Sequence, residues 1–131
     1  MQTKDIQAAA NEHYGYRFDD EIRKLIALVD DSAGDGYGYD DGDALERLEE
    51  MPLGFDKLIT NHRDETITWE ILLGTGGPAD RVVVVTDYDG IVQSAVYEFQ
   101  DWFQPWTAAE DQDEALVRLF AEIVGCYEPE N

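Results

Sequence analysis

The sequence predicts an α+β fold, in which N-terminal helices and a C-terminal helix pack with an antiparallel sheet of three or more strands. Three observations predict it. Phe18, Ile22, Leu25, Ile26 and Val29 recur on one helical face; Ile67, Trp69, Ile71 and Leu73 alternate in the period of a half-buried strand; Leu116, Leu119, Phe120 and Ile123 return to helical spacing before Gly125. Helices flanking a meander in sequence are expected to cover one face of its sheet.

The elements follow in order. Ala8, Ala9 and Ala10 favour a first helix over residues 3–13, with Thr3 available as its cap. The Phe18 to Val29 stripe predicts a second over 19–30, capped by Asp19 or Asp20. Residues 30–43 combine four Gly with six Asp, sustain neither period, and are expected to form a flexible acidic loop. Asp43 and Glu46 have the spacing of a capping box, which predicts a short helix with Leu45 and Leu48 inward, stopped by Pro52 and Gly54. Leu53, Phe55, Leu58 and Ile59 are then expected to rejoin the core. Strands are expected at about 66–73, 81–87 and 91–100, the first ended by Gly74-Thr75-Gly76-Gly77-Pro78 and the last two joined at Asp89-Gly90, where glycine supplies positive φ. Thr107 and Glu110 match another capping box, placing the last helix at about 108–124.

A chain of 131 residues with 44% hydrophobic content suits one domain with one core. Cys126 is the only cysteine, so an intrachain disulfide is impossible and a cysteine metal site lacks partners. The opening MQTKDIQAAANEHY lacks a secretory apolar stretch, and no run approaches the roughly eighteen apolar residues of a membrane span. A cytoplasmic protein independent of membranes is expected.

Charge is the outlying property. Thirty Asp and Glu against nine Lys and Arg give a net charge of -21. Such a chain repels nucleic acid and anionic membranes, so its partner is expected to be basic. Residues 30–50 hold nine acids with Arg47 alone as compensation, and residues 82–131 contain no base except Arg118. Scattered carboxylates also suit a cytoplasm of very high salt, which is the competing explanation for the total.

Motifs for catalysis or metal binding are weak. With Gly36 as the central glycine of a calcium loop, positions three and twelve fall on Ala33 and Gly42, which offer no carboxylate. The Gly74–Pro78 stretch lacks both the Gly-Lys-Ser/Thr ending and the GxGxxG spacing of phosphate cradles, and a strand rather than a helix follows it. His13, His62, Ser32, Ser94 and Cys126 are the scarce nucleophile and base candidates, and no triad or elbow motif surrounds them. The expectation is a non-enzyme without metal or cofactor.

Binding features are more distinctive. Acids at i, i+3 and i+4 on a helix lie about 5–6 Å apart, a separation comparable to successive backbone phosphates. Asp40, Asp41, Asp43, Glu46, Glu49 and Glu50 form one candidate row; Glu110, Asp111, Asp113 and Glu114 form another. Between them lies Asp101-Trp102-Phe103-Gln104-Pro105-Trp106, whose three large rings cannot all enter the core from one short connector. Some are expected to cover the sheet edge; Trp102, Phe103 or Trp106 supplies an exposed anchor.

The stretches Gly74-Thr75-Gly76-Gly77-Pro78-Ala79, Arg81-Val82-Val83 and Tyr97-Glu98-Phe99-Gln100-Asp101-Trp102-Phe103-Gln104-Pro105-Trp106-Thr107 resemble a family of small acidic proteins carried by phages and other mobile elements. The resemblance spans roughly residues 67–127 and implies a genetic setting rather than an activity. Acidic proteins in that setting resemble in kind the anti-restriction and anti-CRISPR inhibitors that imitate DNA, an analogy by class. It implies an anti-defence inhibitor in the host-cell cytoplasm, whose acidic rows occupy the basic DNA- or PAM-reading surface of a CRISPR effector or restriction complex, with homodimerisation able to extend the charged surface. The alternative is a non-catalytic adaptor for another basic protein, its acidity reflecting high salt.

Overall fold

The computed structural model describes residues 3–35, 41–76 and 78–129. Its order is α1 (Thr3–Arg17), α2 (Asp20–Asp35), α3 (Asp41–Glu49), β1 (Gly54–Asn61), β2 (Thr66–Gly74), β3 (Ala79–Asp87), β4 (Val92–Gln100), β5 (Thr107–Ala108) and α4 (Glu114–Val124). The five strands form one antiparallel meander in the order β1-β2-β3-β4-β5. The α+β fold expected from periodicity is therefore present, with both helical groups on its core side.

Alternation fixes which sheet face is covered. Ile67, Trp69, Ile71 and Leu73 on β2, Val82 and Val84 on β3, and Ala95, Tyr97 and Phe99 on β4 are buried. They form one core with Tyr14, Phe18, Ile26, Leu48, Val117 and Phe120 from the helices. Phe18 and Phe120 meet edge to face at 5.3 Å, joining the N-terminal and C-terminal helices over the sheet. Trp69 buries its ring and donates from Nε1 to Thr86 Oγ1 at 2.9 Å, so neither polar atom is left unpaired.

Five local expectations are corrected. First, α1 reaches Arg17 instead of stopping near 13, because Ile6, Ala10, Tyr14 and Phe18 repeat every four residues and bury one continuous stripe. Second, α2 starts as expected, with Asp19 Oδ1 accepting from the Ile22 N–H at 2.9 Å, but runs to Asp35. Residues 30–35 are thus helical rather than loop; Asp30 to Ala33 tolerate a helix, and its first strong breaker is Gly34. Residues 36–40 of the expected loop, Asp40 included, lie outside the described residues.

Third, α3 begins at Asp41, so Asp43 lies within the first turn and is not a capping residue. Leu48 is buried as expected, whereas Leu45 is half-buried. Fourth, the segment after α3 is a strand, and only Phe55 of its expected core residues packs inward, stacked on Trp69 at 5.4 Å. Leu53, Leu58 and Ile59 are exposed because β1 is an edge strand whose register shifts between Lys57 and Ile59. Fifth, Thr107 belongs to β5 and not to a capping box. The Ala109 N–H still donates to Tyr97 O, which keeps this backbone extended and delays α4 to Glu114, where Asp113 is the N-cap.

Asp89-Gly90 behaves as the sequence predicts. Asp87 Oδ1 accepts from the N–H groups of Asp89 and Ile91, while Gly90 takes φ 89°. That tight hairpin sets the β3–β4 register on which the site below depends.

Candidate functional site: acidic rows and an aromatic loop

The first acidic row is carried by α3. Asp43, Glu46, Glu49 and Glu50 are all exposed, because the helix turns Ala44 and Leu48 inward and its opposite side to water. Arg47, the one base in this region, is held by Glu21 of α2 in an exposed ion pair. Its positive charge is neutralised across the α2–α3 groove, which leaves the neighbouring α3 carboxylates to set the local field.

The same internal neutralisation recurs elsewhere. Arg17 pairs with Asp80 at 2.6 Å, Arg81 with Glu70 and Glu98 at 2.7 and 2.8 Å, and Arg118 with Glu122 at 3.0 Å. Each of these arginines is offset by a carboxylate within the fold, and the excess negative charge resides in the remaining acids.

The second row lies on the connection into α4, where Glu110, Asp111, Asp113 and Glu114 are exposed. Asp113 also serves the fold, since its Oδ1 accepts from the Leu116 N–H at 3.1 Å and its own N–H donates to Tyr14 Oη at 2.9 Å. Glu110 is positioned by its N–H donating to Asn11 Oδ1 at 2.7 Å. Asp111 takes φ 52°. Among the described residues no hydrogen bond or ion pair links this row to α3, and the side chains of Asp40 and Asp41 are outside those described.

The aromatic connector divides its rings. Trp102 is 63% exposed and Phe103 97% exposed, both beyond the end of β4. Trp102 takes φ 52°, a left-handed backbone that bulky residues rarely adopt. The loop is closed by the Gln104 N–H donating to the half-buried Asp101 O at 3.1 Å and by Gln100 Nε2 donating to Gln104 O at 3.0 Å. Trp106 instead folds back over the helix-free sheet face, its ring centre 4.0 Å from the Arg81 guanidinium. The rings are thus divided: Trp106 lies against the sheet, while Trp102 and Phe103 face water.

Sequence reasoning missed a buried polar network beside the Gly74 turn. Asp80 is 3% exposed; its Oδ2 accepts from Arg17 Nε at 2.6 Å and from Tyr97 Oη at 2.8 Å, and its Oδ1 accepts from Arg17 Nη2 at 3.0 Å. Burial, reinforced by the Asp80 charge and hydrogen bond, pushes the Tyr97 phenol far above its ordinary value and keeps it a donor. A Cβ at Gly74 would come within 2.5 Å of Asp80 Oδ1 and 2.9 Å of Arg17 Nη2, so this glycine makes room for the ion pair. The available signal is parity: Val82 and Val84 point inward, hence Asp80 does too.

The remaining chemical candidates are apart. His13 stacks on Phe99 at 4.6 Å, His62 Nδ1 is 3.0 Å from Tyr88 Oη, and Cys126 is an exposed free thiol. Among the described residues, no group of three or more His, Cys, Asp or Glu is placed to hold a metal ion, and no helix is long and apolar enough to cross a membrane. Comparison of the chain with protein-family models, with curated proteins and with solved structures finds no match.

Proposed function

We propose that the protein is an anti-defence inhibitor, in kind an anti-CRISPR protein, whose carboxylate rows stand in for DNA phosphates on the basic DNA- or PAM-reading surface of a nuclease complex. The observation that carries this reading is the combination of an exposed α3 row, Asp43, Glu46, Glu49 and Glu50, with the capture of neighbouring Arg47 by Glu21. The carboxylates share one exposed helical face, and the arginine among them is already engaged by an acid of another helix. Steering by such a field accelerates association, and Trp102 and Phe103 supply desolvated anchoring once contact is made.

The test is affinity purification from cells carrying candidate defence complexes, then competition for the captured complex with duplex DNA. Charge reversal of Glu46, Glu49 and Glu50, or of Glu110, Asp111 and Glu114, is expected to slow association at low salt. Asp113 is spared because it caps α4. Inhibition unchanged after both reversals overturns the proposal.

One observation favours a second reading. Asp64, Glu65, Asp89 and Glu128 are exposed on turns and tail far along the chain from either row. That scatter fits acidity serving high-salt solubility, with the protein acting as a non-catalytic adaptor for another basic protein. In that case the captured partner is not displaced by DNA, and Trp102 and Phe103 dominate its affinity.

A further inference from the structure

The two edges of the sheet are finished differently. Beside β4, β5 pairs at Glu98 and Phe99, the Gln112 amide takes both backbone groups of Tyr97 at 2.7 and 3.2 Å, and Arg118 Nη2 donates to Val92 O at 2.7 Å. β1 ends the sheet on the other side and, among the described residues, pairs with β2 alone. Asp56, Lys57, Leu58 and Ile59 are exposed one after another along it, Leu58 at 42% and Ile59 at 62%, so this edge reaches water. Proteins ordinarily blunt such an edge by shortness, proline, charge or a bulge. β1 has eight residues and no proline, and its Lys57 lies over the Trp69 ring at 5.3 Å. A register shift follows Lys57, yet the ladder resumes through Ile59, Thr60 and Asn61.

The acidity of the chain relents at this edge. Within a net charge of -21, β1 carries one acid, Asp56, and one base, Lys57. Arg63 follows in the exposed β1–β2 turn, and among the described residues it is the one arginine whose side chain makes neither a hydrogen bond nor an ion pair. The Asp56 carboxylate likewise makes none among the described residues. Ile59 stands opposite Thr68, and Thr68 opposite Val85, so its side chain extends a row on the helix-free face out to the edge. Opposite charges near the two ends of one strand complement a second copy of that strand laid antiparallel to it.

We propose that β1 is the seam of a homodimer, in which two copies pair their β1 edges antiparallel about a two-fold axis near Ile59 and join their sheets into one. Ile59 then lies beside its own counterpart, and Asp56 of each copy comes to the His62–Arg63 end of the other. A basic segment of another protein fits this edge less well, because it sets like charge against Lys57 and Arg63. The net charge of each copy, with Asp64 and Glu65 beside Arg63, opposes association, and salt screens that repulsion, so the dimer tightens as salt rises. Neither acidic row belongs to the seam, and the proposal stands whether or not those rows imitate DNA.

The experiment is sedimentation equilibrium of the full chain from about 10 μM to about 1 mM, with amide hydrogen exchange at both ends of that range. A monomer–dimer equilibrium is expected that tightens at least fivefold between about 0.01 M and about 1 M salt. Alternate amides within residues 55–61 are expected to exchange at least fivefold more slowly in the concentrated sample. Ile59→Asp is expected to weaken the dimer at least tenfold. Ile91→Asp adds the same charge at an isoleucine that is 61% exposed in the β3–β4 connection, and is expected to leave the dimer within about twofold of the parent. Arg63→Glu is expected to weaken the dimer and the swap Asp56→Arg/Arg63→Glu to restore it. A chain that stays monomeric throughout at high salt overturns the proposal, as does a dimer that Ile59→Asp leaves intact or that Ile91→Asp weakens equally. A swap no better than Arg63→Glu alone also overturns it, as does protection of β1 that appears only when a captured basic protein is added.

Discussion

Tyr97 Oη donates to Asp80 Oδ2 at 2.8 Å, on the oxygen that also takes the Arg17 guanidinium, so one buried carboxylate holds α1 and β4 to the start of β3. Deleting its partners has unequal consequences. Arg17→Ala leaves a buried carboxylate with a neutral donor only and is expected to cost about 3 kcal/mol. Tyr97→Phe leaves the ion pair intact and is expected to cost about 1 kcal/mol. Urea unfolding of the two variants checks the order.

Alkaline pH tests the buried phenols through linkage. Burial raises the Tyr97 and Tyr127 phenols above the ordinary value of 10.0, helped by Asp80 and Glu122 respectively. A raised folded pKa means that the unfolded chain loses its protons first, so the stability is complete below pH 10 and declines as pH rises through the folded values. Each phenol then contributes a slope of up to about 1.4 kcal/mol per pH unit. Tyr127→Phe, which removes the donor to Ala121 O, is expected to make the decline shallower, as measured by denaturant midpoints between pH 9 and about pH 11.5.

Legibility in the sequence follows the strength of periodicity. Ile67 through Leu73 alternate cleanly and sit where that alternation puts them, whereas Leu58 and Ile59 are apolar residues on an exposed edge, and hydrophobicity alone sends them inward. The helical run through Asp30 to Ala33 is unreadable because its composition favours turns while adjoining helix carries it onward. The acids of α3 are legible as a row because Leu48 turns inward as its spacing implies, whereas the burial of Ala44 ahead of the half-exposed Leu45 is not. What periodicity does not supply is pairing: that Glu21 takes Arg47 and that Arg81 carries Trp106 depends on contacts between distant elements.

Asp113 separates a structural acid from its functional neighbours. Asp113→Ala removes the acceptor for the Leu116 N–H and is expected to destabilise the protein by about 1 kcal/mol. Glu110→Ala removes no such bond from its side chain and is expected to change stability by less than about 0.5 kcal/mol. Thermal unfolding distinguishes them, and the contrast decides which acids in this row can be altered safely in a binding assay.

Trp102 stores strain at an exposed site. Its φ of 52° and 63% exposure mean that the ring gains little from burial while the backbone occupies an unfavourable region. Trp102→Gly is expected to raise stability by about 0.5–1 kcal/mol, the left-handed relief exceeding the added freedom of the unfolded chain. If the loop serves as an anchor, the same variant binds its partner at least tenfold more weakly. Improved stability with unchanged binding removes the loop from the interface.

Salt should stabilise this protein through screening of its own surface. Exposed carboxylates such as Glu46, Glu49 and Glu50 repel one another within and between turns of α3, and the screening length shrinks from about 30 Å at 0.01 M salt to about 3 Å at 1 M. The melting temperature is expected to rise over that range. Glu46→Gln/Glu50→Gln removes one such i, i+4 repulsion, worth about 0.2–0.5 kcal/mol in isolated helices. The double variant is therefore expected to melt higher at low salt and to converge with the parent at 1 M. A salt response carried by the rows shrinks clearly in this variant, whereas acidity spread for high-salt solubility leaves the response nearly unchanged, so one pair of melting series bears directly on the two readings of the charge.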